Sequence, residues 1–268
     1  MVSLRDFSLS PATADVALHQ QLRHATTLDE LALRAREAPG LLDRLLQRGL
    51  ASGKVIAVYS NLVDTTIRRA LELAFVGRPD LPMEAFTWIA LGSNGRREAV
   101  LSSDVDSAVA FVDGTTDEQM AAYRAVFATV DVTLANAGLT SDKHGVSARS
   151  AAMSRTHTQW REAAHHWLLD PAEDKGAIMT SLLVDGRPIY GDPGLAAIST
   201  IFRDLREHPL TMRLLLIDAL ARRATLRSAR EAPWRRSAHF DIKGHALLPW
   251  STSPGGPVSP PAPPRCRP

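Results

Sequence analysis

The chain is nearly free of cysteine, with Cys266 as its single thiol among 268 residues. One cysteine excludes an intramolecular disulfide framework and a cysteine-based zinc site. The composition also indicates a reducing compartment, so we expect a cytoplasmic protein.

Long apolar runs are missing as well. The first fifteen residues carry mixed charges and lack the apolar core of a signal peptide. The most apolar windows, residues 55–63 and 214–220, are interrupted by polar residues and are far shorter than the roughly 20 apolar residues that span a bilayer. We therefore expect neither export nor a membrane span.

A strong net charge is also absent, because 31 Lys and Arg residues nearly balance 29 Asp and Glu residues and leave +2. This balance does not predict nucleic-acid binding. The arginine-rich stretch 222–236 could still contact an anionic acceptor or a nucleic acid locally. With 45% hydrophobic and 22% charged residues, the chain has enough apolar content for one or two globular domains.

Apolar periodicity divides the chain into helical segments and buried strands. The pair Thr115 and Glu118 forms a capping-box pattern at the start of one helix. The predicted elements, in chain order, are helices over 11–77, strands over Thr87–Leu91 and Val105–Val112, a helix ending at Gly138, a helix over 157–168, a strand over 178–184 and helices over 194–230. The order predicts an α+β fold.

This pattern also suggests a division of the chain. Residues 1–80 are expected to form a helical lead-in, 81–192 the α+β core and 193–250 a helical substrate-binding segment. Residues 251–268 are so rich in proline that we expect a disordered tail.

The segment between the first two strands carries the chemistry. It joins a turn containing Gly92, Ser93 and Gly95 to Asp104 and Asp106 at the second strand. Glycines let the backbone approach a ligand, while N–H groups at a helix start and the Ser93 hydroxyl donate to phosphate oxygens. The turn is therefore interpreted as a cradle for a triphosphate.

Asp104 and Asp106 are two residues apart on a strand, so both side chains point the same way. Paired carboxylates supply the hard oxygen ligands that suit Mg²⁺ bound to substrate phosphates. In phosphoryl and nucleotidyl transfer, the protein mainly positions groups and stabilises charge. We predict that this pair is catalytic and holds Mg²⁺, and that Arg96 contacts the phosphates.

The segment resembles a known signature. The matching residues are Gly92-Ser93, Gly95-Arg96, Glu98 and Ser103-Asp104-x-Asp106. They are similar to those of the polymerase-beta-like nucleotidyltransferase superfamily. Stretches 88–91, 184–192 and 240–249 narrow the resemblance to bacterial nucleotidyltransferases that are often attached to CBS and cyclic-nucleotide-binding domains. Those proteins are related to nitrogen-signalling uridylyltransferases.

The resemblance implies the superfamily's α+β core and a third carboxylate that activates the attacking hydroxyl. Asp185 is the candidate for this third carboxylate, although it could instead serve only to form the turn before Gly186. Asp142 is the second candidate for the same role. Lys243 is implied as a phosphate ligand by its position in the C-terminal stretch. At Ser107 the family usually has Asn, which leaves the substrate preference open.

These features predict a Mg²⁺-dependent nucleotidyltransferase that moves a nucleoside monophosphate from an NTP to an acceptor, with a role in signal transduction. The acceptor stays open between a protein, a nucleic acid and a small molecule. Two alternatives are a non-catalytic nucleotide-binding regulatory module on the same fold and a structural helical interaction protein.

Overall fold

The structure is a computed structural model that describes residues 11–140, 145–192 and 202–221. Its α-helices are, in chain order, α1 (Pro11–His24), α2 (Leu28–Ala35), α3 (Ala38–Gln47), α4 (Ser52–Ala74), α5 (Gly92–Gly95), α6 (Asp117–Asn136), α7 (His157–Leu169), α8 (Gly176–Leu183) and α9 (Pro209–Ala221). Its strands are β1 (Phe86–Ala90), β2 (Ser107–Phe111), β3 (Ser154–Thr156) and β4 (Arg187–Tyr190). This mixture confirms the predicted α+β class.

The strands form one sheet in the order β3-β2-β1-β4. Strand β1 is antiparallel to both β2 and β4, whereas β2 and β3 are parallel. Trp88 in β1 lies opposite Val109 in β2 and Tyr190 in β4. Because β1 and β2 are antiparallel neighbours, the C-terminal end of β1 and the N-terminal end of β2 lie side by side at the same end of the sheet.

Helices cover both faces of the sheet. Phe86 and Trp88 face a core that includes α4 and α6, while Ile89 and Leu91 face a second core with α7 and α8. Every residue of β1 and β2 is buried as a result. Burial on both faces explains why these strands appear in the sequence as short apolar runs rather than as alternating patterns.

The helical pattern predicted for residues 11–77 is confirmed by α1 to α4. Val55, Tyr59 and Ile67 lie on the buried stripe of α4, at 6%, 4% and 0% exposure. This stripe belongs to the same apolar core as one face of the sheet. The domain boundary at residue 80 stays a prediction.

The strand predicted over 178–184 is wrong, because these residues lie in or directly after helix α8. Thr180 and Leu183, three positions apart, are fully buried, whereas Ile178 is 55% and Val184 is 38% exposed. That spacing belongs to a helix packed on α7, and a short apolar run alone does not distinguish it from a strand. The strand is instead β4, directly after the Asp185-Gly186 turn.

The capping box of α6 is shifted by one residue from the prediction. Thr116, rather than Thr115, accepts a hydrogen bond from the Gln119 N–H, and the Gln119 side chain accepts one from the Thr116 N–H. The Thr115 hydroxyl donates to the Val112 carbonyl instead. The helix still ends before Gly138, as predicted.

Several predictions fall outside the described residues. These are the tail 251–268, most of the segment 193–250, and the candidates Lys243 and Asp142. Among the residues that the structure does describe, no helix has the length and apolar character needed to cross a bilayer.

Candidate functional site

The turn after β1 brings Gly92 against Asp106. Gly92 has a φ of +54°, in the left-handed region that favours glycine. A Cβ atom added to Gly92 would lie 2.9 Å from Oδ2 of Asp106. The Leu91 N–H also donates to the Asp106 carbonyl over 3.0 Å. The absence of a side chain at Gly92 therefore lets the turn lie directly beside the carboxylate.

The two predicted metal ligands lie just before β2. Asp104 and Asp106 are half-buried, while Val105 between them is 4% exposed. The sequence predicted both aspartates on the second strand, but β2 begins at Ser107, so they lie in the loop that leads into it. Their partial exposure still alternates with the buried Val105. A pair of hard oxygen ligands fits a Mg²⁺ ion that also binds substrate phosphates. Within the described ranges, no group of three or more His, Cys, Asp or Glu side chains could hold a metal.

Asn94 joins the turn to the aspartate segment. Its side chain is 4% exposed, and Nδ2 donates to the Asp104 carbonyl over 2.8 Å. Sequence reasoning missed this residue. The sequence shows only that an asparagine lies between Gly92 and Gly95. Its hydrogen-bond partner, the Asp104 carbonyl, depends on how the turn folds back toward the second strand.

Ser93 lies in the first turn of the short helix α5. It is half-buried, and its carbonyl accepts a hydrogen bond from the Glu98 N–H over 2.8 Å. The first N–H groups of a helix have no acceptor within that helix. The backbone donors at Gly92 and Ser93, together with the Ser93 hydroxyl, are therefore suited to an anionic ligand.

A buried ion pair, missed by sequence reasoning, holds the turn from behind. Arg187 in β4 makes two hydrogen bonds of 2.9 Å to the carboxylate of Asp64 in α4. Its other donors bind the Gly95 carbonyl at 3.0 Å and the Asn94 carbonyl at 2.9 Å. The Asp64 side chain is 5% exposed and that of Arg187 is 21% exposed. One guanidinium therefore fixes the turn to both α4 and β4.

Gly95 allows the Asp185 backbone to approach the turn. A Cβ atom added to Gly95 would overlap the Asp185 carbonyl oxygen and would lie 2.9 Å from the Ala90 carbonyl oxygen. Any larger residue would push apart the end of β1 and the turn before β4. The predicted residues Gly95 and Asp185 are thus brought together by close backbone packing.

Arg96 forms ion pairs with two acidic side chains. Its Nη1 lies 2.7 Å from Oδ2 of Asp185, and its Nε lies 2.9 Å from Oε2 of Glu98. Burial lowers the pKa of the Arg96 guanidinium, but the hydrogen bonds and the charge attraction to Asp185 and Glu98 together raise that pKa above its ordinary value. The predicted phosphate contact and the predicted third carboxylate are therefore partners of each other.

Ser107, directly after Asp106, is held by a second buried network. Its hydroxyl accepts a hydrogen bond from the Ala148 N–H over 3.0 Å. The neighbouring Ser147 hydroxyl donates to the carboxylate of Asp131 in α6. Arg149 lies 3.3 Å from the same carboxylate. Asp131 thereby anchors the loop that supports the start of β2.

Asp131 gives this network a testable pH dependence. Burial raises the pKa of Asp131, against the lowering effects of Ser147 and Arg149. The folded state therefore favours the protonated acid, and its stabilising effect is lost as the pH rises from about 4, near the unfolded pKa, through the raised pKa. Asp131→Asn should reduce this loss of unfolding free energy by about 1.4 kcal/mol for each pKa unit of the shift.

The measurement is urea unfolding of the wild type and the variant at pH 4 and pH 7. Asp43→Asn is the matched control, because Asp43 is an exposed aspartate that accepts a hydrogen bond from Gln47 on its own helix. Equal pH dependence in Asp131→Asn and the wild type would contradict the raised pKa.

Residues 36–174 match the family of putative nucleotidyltransferases DUF294. This range is just over half of the 268 residues. The chain belongs to this family. The DUF294 match includes the glycine turn, both aspartates and Asp64, and it ends before Asp185 and Arg187. No curated protein matches the chain.

Proposed function

We propose that this protein is a Mg²⁺-dependent nucleotidyltransferase that moves a nucleoside monophosphate from an NTP to an acceptor hydroxyl. The observation that carries the proposal is the close approach of Gly92 to Asp106. It combines a turn suited to phosphates with a carboxylate pair suited to a metal that shares those phosphates. Membership of the DUF294 family supports the same reaction class.

In this proposal each residue has a defined role. Asp104 and Asp106 would hold Mg²⁺, which supplies charge stabilisation to the phosphates when bound. The turn at Gly92 and Ser93 would orient the triphosphate, together with Arg96. Lys243, outside the described residues, is proposed as a further phosphate ligand from the family resemblance.

The transfer itself is a substitution at the α-phosphorus of the NTP. The acceptor oxygen forms a bond to this phosphorus, and the bond from the phosphorus to the oxygen that bridges the β-phosphate breaks. Pyrophosphate leaves with that electron pair, and Asp185 accepts the proton of the acceptor hydroxyl. We propose a protein acceptor in a cytoplasmic signalling role, following the resemblance to nitrogen-signalling uridylyltransferases. The net charge of +2 does not favour a nucleic acid.

One observation favours a second candidate function. The proposed base Asp185 is bound to Arg96 at 2.7 Å, so it is engaged in an ion pair. If this pair never opens, the protein binds nucleotide without turnover and acts as a regulatory module on the same fold.

The deciding experiment compares two positions of the label. The purified protein is incubated with Mg²⁺, host-cell lysate and each NTP carrying ³²P at either the α- or the γ-phosphate. Nucleotidyl transfer labels an acceptor from the α-label alone and releases pyrophosphate. Binding without label transfer supports the regulatory module. An acceptor that takes γ-label only when the purified protein is added to the lysate, or no nucleotide binding at all, contradicts the proposal.

The phosphate contacts can be tested by affinity. Ser93→Ala should weaken binding of a Mg²⁺-bound NTP by about two- to tenfold, the value of one hydrogen bond from an uncharged donor. Arg96→Ala should weaken it by about tenfold or more, because a charge-assisted bond is stronger. Calorimetric titration measures both, with Arg78→Ala as the control for a guanidinium remote from the turn. Unchanged affinity in Arg96→Ala would remove Arg96 from the site.

A further inference from the structure

Arg96 and Asp185 are joined in the structure, although the proposed reaction needs them apart. Arg96 has to donate to phosphate oxygens, and Asp185 has to accept a proton from the acceptor. Nη1 of Arg96 and Oδ2 of Asp185 are 2.7 Å apart. Asp185 therefore occupies the side of Arg96 at which a phosphate oxygen is expected to bind. Arg96 in turn occupies the carboxylate oxygen that is expected to accept the proton of the acceptor.

We propose that Arg96 exchanges partners during the reaction: Asp185 holds it in the nucleotide-free protein, and a bound triphosphate takes it over and frees Asp185. This inference rests on the proposed function and concerns the control of the same site. The Asp185 carboxylate stands where a phosphate oxygen binds the guanidinium. The base is then available only when an NTP is in place.

The local packing allows this exchange to occur by side-chain rotation alone. Gly95 lies against the Asp185 carbonyl, and Arg187 fixes the Gly95 carbonyl, so both backbones are held. The paired side chains remain accessible, at 28% exposure for Arg96 and 31% for Asp185. A ligand can therefore reach the pair without movement of the strands.

The charges also permit the exchange. A half-buried guanidinium left without a partner would be costly, but in this exchange Arg96 passes from one anion to another. In the proposed exchange Glu98 keeps its bond to Nε of Arg96, which is 2.9 Å long in the structure. A triphosphate carries more negative charge than a carboxylate and offers several oxygens for charge-assisted bonds.

Competition for Arg96 has an unusual consequence. Asp185→Asn should bind NTP more tightly than the wild type, by about two- to fivefold, because the exchange no longer breaks a partly exposed ion pair. The same variant should have slower turnover, because an amide cannot accept the proton. A merely structural role for Asp185 would weaken affinity and turnover together.

The experiment is a double-mutant cycle on nucleotide affinity. Calorimetry compares the wild type, Asp185→Asn, Arg96→Ala and the double variant. The probe is the α,β-methylene analogue of whichever NTP the wild type binds most tightly, with Mg²⁺. We expect tighter binding in Asp185→Asn and no such gain when Arg96 is already Ala. Removal of charge repulsion alone would give the same gain in both backgrounds and would overturn the exchange.

Asp80→Asn is the matched control. Asp80 forms a similar ion pair with Arg78, at 2.8 Å, before the start of β1 and therefore away from the turn. Its affinity should equal that of the wild type. If the wild type binds no NTP, the proposed function and the exchange both fail. If the wild type binds NTP and Asp185→Asn does not bind it more tightly, the exchange alone fails.

Discussion

Asp106→Asn is expected to reduce nucleotidyl transfer by more than about a hundredfold. Mutation of residues that only hydrogen-bond to metal ligands already costs about 10- to 100-fold, and loss of a ligand itself should cost more. Asp104→Asn should have a similar effect. An amide keeps the shape of the side chain but removes the negative charge that a divalent cation requires. Asp106 faces Gly92 directly, so this charge lies beside the proposed phosphates.

The folded structure should survive both substitutions. Asp104 and Asp106 are half-buried in the loop just before β2, and their carboxylates do not fill the apolar core. Thermal unfolding should change little, whereas label transfer and release of pyrophosphate should nearly vanish. Asp43→Asn, on the surface of α3, is the control for the loss of an acidic charge. A variant with most of the wild-type turnover would show that its aspartate is not a metal ligand.

The sequence predicted the glycine turn and the aspartate pair, which are close together along the chain, but it did not predict the role of Asn94 in the same segment. Gly92 and Asp106 belong to one segment between two strands, and antiparallel pairing of those strands brings them to the same edge. The α+β class followed from the change of periodicity after residue 80. The predicted exposure of Asp104 and Asp106 around a buried Val105 is found, but these residues precede β2 rather than belonging to it.

The remaining parts of the site depend on packing between distant segments. Asp64 looks like one more polar residue in a long helix, and only the fold shows that it is buried against Arg187. The segment 178–184, predicted as a strand, belongs mainly to helix α8. The burial of Thr180 and Leu183, three positions apart, follows the helical period and became visible only in the fold. No local pattern predicts that Arg96 pairs with Asp185, because that contact depends on how the turn before β4 approaches Gly95.

Arg187→Ala is expected to destabilise the fold by about 3 kcal/mol, the lower end of the cost of breaking a buried ion pair, because the Asp64 carboxylate loses two hydrogen bonds and keeps the longer contacts with Arg68 and Arg97, at 3.9 and 4.0 Å. The side chain of Asp64 is 5% exposed, so water does not replace the two lost hydrogen bonds. The carbonyls of Gly95 and Asn94 also lose their donor. Nucleotide affinity should therefore fall even under conditions where the variant remains folded.

Three comparisons separate this ion pair from a general effect of losing an arginine. Arg97→Ala removes an exposed guanidinium 4.0 Å from the same carboxylate and should cost less than about 1 kcal/mol. The double variant Asp64→Ala/Arg187→Ala should cost less than the sum of its single variants, because it leaves no unpaired charge. Urea unfolding measures the wild type and the four variants Arg187→Ala, Asp64→Ala, Arg97→Ala and Asp64→Ala/Arg187→Ala. Additive losses in the double variant would mean that Asp64 and Arg187 stabilise the fold independently. The turn would then be held mainly by two other contacts, the Asn94 bond to the Asp104 carbonyl and the close packing at Gly95.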